Sequence, residues 1–146
     1  MDSKGIATVD FLLTLFLTLI VTISMLNLIG TNLNTEKSIE EDINARMILE
    51  KVSNSINQVN SNLLGNIQEI HLPNNISTNN YIITVRSEDI ILEFNNKKGR
   101  SVIFPINLVD FNMGHINEIK LYSGENYKIK KSLDESNISV IQIYRA

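Results

Sequence analysis

Few residues in this chain are placed to do chemistry, and the most conspicuous is a carboxylate. Asp10 stands at the head of Phe11–Ile29, FLLTLFLTLIVTISMLNLI, a run with no charged residue, and Lys4-Gly5 precede it by a few positions. A lone carboxylate at the start of a membrane-length helix is costly unless it is paired or kept near the interface. Its natural chemistry is therefore an ion pair with an ammonium group, aided by the positive end of the helix dipole, about 0.3–1 kcal/mol in exposed settings. The other candidates are sparser. His71 and His115 lie far apart without metal-ligand spacing and read as loop or surface residues. Glu88-Asp89 and Asp134-Glu135 read as turn acids, and no nucleophile–base–orienter set or Gly-rich phosphate cradle is present. There is no cysteine, which excludes disulfides and thiolate chemistry. The expectation is a non-enzyme without catalytic residues, metal or cofactor.

The apolar run is long enough to position Asp10 at a membrane surface. Nineteen residues at 1.5 Å each make about 28 Å of helix, close to a hydrocarbon core of about 30 Å. Its Thr and Ser residues suit such a helix, because their hydroxyls can bond back to the preceding turn. A secretory signal peptide would be shorter and end in a small-x-small site, whereas this run exits through Leu28-Ile29-Gly30. Lys4 on the short N-terminal side favours an N-in orientation. A net charge of −3 and a pI near 5.4, without a dense Lys/Arg block, argue against nucleic-acid binding. The lysines of KK, Lys97–Lys98, and of KIKK, Lys128–Lys131, read as solvated turn and strand-edge lysines.

The order Lys4-Gly5-Ile6-Ala7-Thr8-Val9-Asp10-Phe11 resembles the processing site of type IV pilin-like proteins with a class III signal peptide, most similar to archaeal members. In that family a prepilin peptidase cuts after the glycine of a short basic leader, and an acid is the fifth residue of the mature chain. The resemblance implies cleavage after Gly5, with Lys4, Gly5 and Ile6 as the processing residues and Asp10 as the fifth mature residue. It also implies that Asp10 meets the new α-ammonium of a neighbour's Ile6 and sets axial register. The usual acid there is Glu, and archaeal members often begin with Gln, so Asp10 and Ile6 depart from the family pattern.

Beyond the span the helical pattern resumes. Ala45, Leu49, Val52, Ile56, Val59 and Leu63 alternate steps of four and three, one stripe along a helix. Lys37–Glu41, Asp42–Arg46 and Arg46–Glu50 are i,i+4 pairs of opposite charge. The weak helix formers of Asn27–Asn34 predict either one kinked helix or two helices meeting near Gly30–Asn34. After Gly65 and Pro73 short alternating runs predict an antiparallel meander: Tyr81–Val85, Asp89–Phe94, Ser101–Ile106, then INEIKLY, YKIKK and ISVIQIY. Residues 95–99 read as a turn, and Pro105 as lying near an edge or bulge. The expected fold is α+β, with the stripe packed on a small antiparallel head because so short a head has too small a core alone. The expected organisation is a leader 1–5, a hydrophobic helix 6–30, an amphipathic stalk helix 31–65 and a sheet head 66–146.

That layout again resembles pilins. It implies a structural subunit, pilin or minor pilin-like, of a cell-surface filament, whose partners are the membrane, the prepilin peptidase and other pilin-like subunits. The alternative from the same residues is a monomeric membrane-anchored binding module with an uncleaved leader. Two Asn-x-Ser triplets, at Asn75 and Asn137, fall in or beside predicted turns and would be glycosylation sites in an exported protein.

Overall fold

The stretch of weak helix formers does not interrupt the helix. In the computed structural model, which describes residues 3–146 with side chains from Thr8 onward, α1 runs unbroken over Ser3–Ser61. Of the two expected arrangements, one long helix or two meeting near Gly30–Asn34, the chain takes the single helix. Breaking a helix there would leave four C=O groups to satisfy before the break and four N–H groups after it, more than the weak propensities recover. Local hydroxyls add to the ladder: Thr31 Oγ1 donates to the carbonyls of Asn27 and Leu28, both at 3.0 Å, and Thr35 Oγ1 to that of Thr31 at 2.9 Å. The chain divides into two compact units, one through Glu40 and one over Glu41–Ala146.

Within the second unit α1 lies against two small sheets. The first has the order β1-β7-β8-β5, with β1 Ile67–His71, β5 Leu108–Val109, β7 Asn126–Leu133 and β8 Ser139–Arg145. The second has the order β4-β3-β2-β6, with β2 Ile82–Arg86, β3 Asp89–Phe94, β4 Lys97–Val102 and β6 Glu118–Tyr122. The α+β class stands. The single antiparallel meander is corrected to two sheets, in which every pairing is antiparallel except β5 with β8, which is parallel.

Two local features account for the change. Asn95 (φ 43°) and Asn96 (φ 59°) both take left-handed backbone, which closes β3 and β4 with a two-residue turn suited to the strand twist. Lys97 therefore begins β4, and the strand ends at Val102 where the sequence pattern puts a strand over Ser101–Ile106. Residues 103–107 then leave the second sheet and reach the first. Pro105 has no N–H to give a ladder, and the segment is held by other bonds. Ile103 and Ile106 donate to the carbonyls of Glu88 and Ser87. Phe104 N–H donates to Asn57 Oδ1 at 2.9 Å, and Asn60 Nδ2 donates to the Pro105 carbonyl. Two side chains of α1 thus fasten the crossover.

The helical stripe closes the core. Ala45, Leu49, Val52, Ile56 and Val59 are buried as their spacing predicts, and Ile48 joins them. They pack with Ile83, Val85, Ile90 and Leu92 of the second sheet and Ile70, Ile129, Ile141 and Ile143 of the first. The helix approaches β4 so closely that a Cβ on Gly99 would fall 2.8 Å from Leu49 Cδ1. Leu63 departs from the expectation and is 88% exposed. The helix stops at Ser61, four residues before the expected 65, and the backbone turns away at Gly65 (φ 82°). Its last carbonyls are not left bare. Lys131 Nζ donates to the carbonyl of Asn60 at 2.5 Å and to that of Asn62 at 3.1 Å, a cationic cap on the negative end of the helix dipole.

These positions should separate cleanly in denaturation. Ile56→Ala is expected to cost about 2–5 kcal/mol by cavity formation, and Leu63→Ala less than about 0.5 kcal/mol. Urea unfolding of the full chain in mild detergent measures both.

Candidate functional site

The first unit presents apolar side chains on every face of a helix. From Val9 to Leu33 the large hydrophobic residues are exposed, Phe11 at 67%, Leu19 at 53% and Leu28 at 64% among them. It is the one helix among the described residues that is long and apolar enough to cross a membrane, by length and composition. Its hydroxyls are turned to the backbone: Thr14, Thr18, Thr22 and Ser24 each donate at 2.8 Å to the carbonyl four residues back. The hydroxyl protons of this run are therefore satisfied within the helix, as a hydrocarbon environment requires.

Asp10 sits on this helix with an exposed side chain, and its own carbonyl is the acceptor for Thr14. Of the processing residues Lys4, Gly5 and Ile6, the side chains lie outside the described residues. Sequence reasoning brings Asp10 and Ile6 together only between two chains, so a single chain cannot display that contact.

In the second unit the charges do more than the sequence suggests. Lys97, read as a solvated turn lysine, bonds Asp42 Oδ1 at 2.9 Å and Glu41 Oε2 at 3.5 Å, and lies 5.7 Å from the centre of the Phe94 ring. The hydrogen bond to Asp42, with the charge of Glu41 adding to it, holds the Lys97 ammonium above the usual lysine range. A raised pKa of this kind stabilises the fold at neutral pH, and the contribution is lost as pH climbs through the folded value, above 10.5. Glu41 and Asp42 thus pair with Lys97 of β4 in place of the expected i,i+4 partners Lys37 and Arg46. Lys131 is likewise a helix cap and not a free strand-edge lysine. The partners of both lysines lie more than fifty residues away in the chain, and no local pattern announces them.

The remaining candidates are scattered over the head. Asp89, expected as a turn acid, is buried and bonded by Arg100 Nε at 2.6 Å. Asp134 Oδ1 accepts the N–H groups of Ser136 and Ile138, while Oδ2 lies 3.6 Å from His115 Nε2. His71 ends β1, where its Nδ1 meets Asn126 Oδ1 and its carbonyl accepts Lys51 Nζ. Among the described residues no three His, Cys, Asp or Glu side chains gather as a metal site would require. Asn75 and Asn137 are both exposed, in different loops. Compared with protein-family models, curated proteins and solved structures, the chain matches none.

If the apolar helix is a span, a charge at its centre must oppose insertion. Leu19→Lys is expected to disfavour insertion by about 2.5–3.5 kcal/mol. The expected result is a shift of the chain from the carbonate-resistant membrane fraction toward the soluble or aggregated fraction, read by immunoblot.

Proposed function

We propose that this chain is a structural subunit, pilin or minor pilin-like, of a type IV pilus-like cell-surface filament. It is inserted N-in, cut after Gly5 by a prepilin peptidase, and assembled through its N-terminal helix with copies of itself or other pilin-like subunits. The observation that carries the reading is a single acid, Asp10, the fifth residue after Gly5 and directly before the part of α1, Phe11–Ile29, that has no charge and exposes its large apolar side chains. Such a helix needs either lipid or other helices around it, and a subunit that leaves the membrane for a filament exchanges the first for the second. Apolar contact among the helices would supply the cohesion, since it has no direction. The pairing of Asp10 with a neighbour's Ile6 ammonium would supply the register, since a buried charge is tolerated only when paired. The fold is compatible with the reading: the Ala45–Val59 stripe is spent on the core of the head, and the large apolar side chains from Val9 to Leu33 are exposed.

Mass spectrometry of the protein from native membrane and surface fractions is expected to find a chain beginning at Ile6. Asp10→Ala is then expected to abolish filaments seen by electron microscopy while the processed subunit persists in the membrane, and Asp10→Glu to retain them. A chain that still begins at Met1 has no ammonium at Ile6, and overturns the reading in favour of a monomeric anchored module.

A further inference from the structure

The two Asn-x-Ser triplets have the same middle residue, and the fold treats them in opposite ways. The motif demands a hydroxyl two residues after the asparagine, so a transferase must reach the amide and the hydroxyl together. Around Asn75 it can. Ile76 is buried at 1% and anchors the loop, while Asn75 and Ser77 on either side of it are exposed. The loop is pinned at its base and open at its tip. Ile76 and Asn79 exchange backbone bonds of 2.9 and 3.0 Å around Ser77-Thr78, and the Pro73 carbonyl accepts Tyr81 Oη at 2.8 Å and Gly124 N–H at 3.0 Å. No hydrogen bond of those that hold this loop uses the Asn75 amide or the Ser77 hydroxyl.

Around Asn137 the hydroxyl is out of reach. Ser139 begins β8 opposite Leu133, and its Oγ is buried with no hydrogen-bond partner. The backbone ahead of it is clamped. Asp134 Oδ1 takes the N–H groups of Ser136 and Ile138, Asn137 N–H donates to the Asp134 carbonyl, and Asp134 N–H to that of Ile138. Each triplet carries one left-handed residue, Ser77 (φ 57°) and Asn137 (φ 63°), so the difference between them lies in the burial of the hydroxyl and the bonds around it. Bringing Ser139 Oγ to the surface would require the end of the β7–β8 ladder to open.

We infer that Asn75 is an N-glycan acceptor in the folded chain and that Asn137 is not. The donor class is an oligosaccharide linked through phosphate to a polyprenyl lipid. Asn75 Nδ2 bonds to the anomeric carbon, and the anomeric C–O bond to phosphate breaks. The lipid phosphate leaves with the electron pair, and the amide proton passes to the transferase. Modification in the cell rests on the proposed export of the head; the acceptor selectivity is a property of the fold.

The test uses the purified full chain in mild detergent, a polyprenyl-diphosphate-linked oligosaccharide, and an oligosaccharyltransferase that accepts Asn-x-Ser without further requirement. Synthetic peptides spanning each triplet calibrate the enzyme, and both are to be modified. With the folded chain, glycopeptide mass spectrometry is expected to find Asn75 modified and Asn137 at least tenfold slower relative to its peptide. Asn75→Gln is expected to remove the folded-state signal, and Asp134→Ala, by releasing the clamp, to raise the rate at Asn137. Equal relative rates at the two sites in the folded chain, or an unmodified Asn75 beside its modified peptide, would overturn the inference. A glycan formed on the purified chain but missing from protein taken from cells would count against export and leave the selectivity standing.

Discussion

The burial of Val52, Ile56 and Val59 under both sheets is the contact on which the head depends. A unit of this size buries a smaller fraction of its surface than a larger domain does, and each four-stranded sheet needs a facing layer to cover its apolar side. The helix supplies the facing layer for both at once. That role explains why side chains of α1 also hold the backbone between the sheets: Asn57 and Asn60 bind residues 104 and 105 where the chain crosses from one sheet to the other. It explains too why β4 carries Gly99, since a Cβ there would meet Leu49. The helix is an internal element of the head and not an attachment to it.

The same helix meets a different demand before Glu40. Over Phe11–Ile29 it carries no charge and exposes large apolar side chains all round, and the hydroxyls of Thr14, Thr18, Thr22 and Ser24 are folded back onto its own carbonyls. Exposing such a surface to water is unfavourable. In a bilayer or among like helices its cohesion is dispersion and apolar burial, neither of which fixes how far one helix slides past another. In the proposed filament a charged group beside the uncharged run would fix it, and that is the role proposed for Asp10.

Polar side chains in the head work mostly as fasteners. Lys131 caps α1, Lys97 ties β4 to Glu41 and Asp42, Arg100 satisfies buried Asp89, and Asp134 organises the β7–β8 turn. These uses account for residues that local sequence would assign to a solvated surface. They also leave a specific asymmetry, since the same fastening that shapes the β7–β8 turn withdraws Ser139 while Ser77 stays at a loop tip.

Uncharged length alone marked the apolar half of α1, and periodicity marked the Ala45–Val59 stripe and the β2–β3 strands, because each is a local pattern set by side-chain type. The α+β class followed from the same signals. The place of Asp10 at the mouth of the span was equally legible, being a matter of spacing. Tertiary structure decided what depends on distant partners. Helix continuity through Gly30–Asn34 won over weak propensity because a break costs backbone bonds on both sides. Leu63 left the stripe because Lys131, far along the chain, caps the helix near Ser61. The two-sheet division came from a crossover held by Asn57 and Asn60, and the left-handed pair Asn95–Asn96 moved β4 forward by several residues. Lysines at 97 and 131 look alike in sequence to any surface lysine, and only the folding of remote segments onto them gave each its partner.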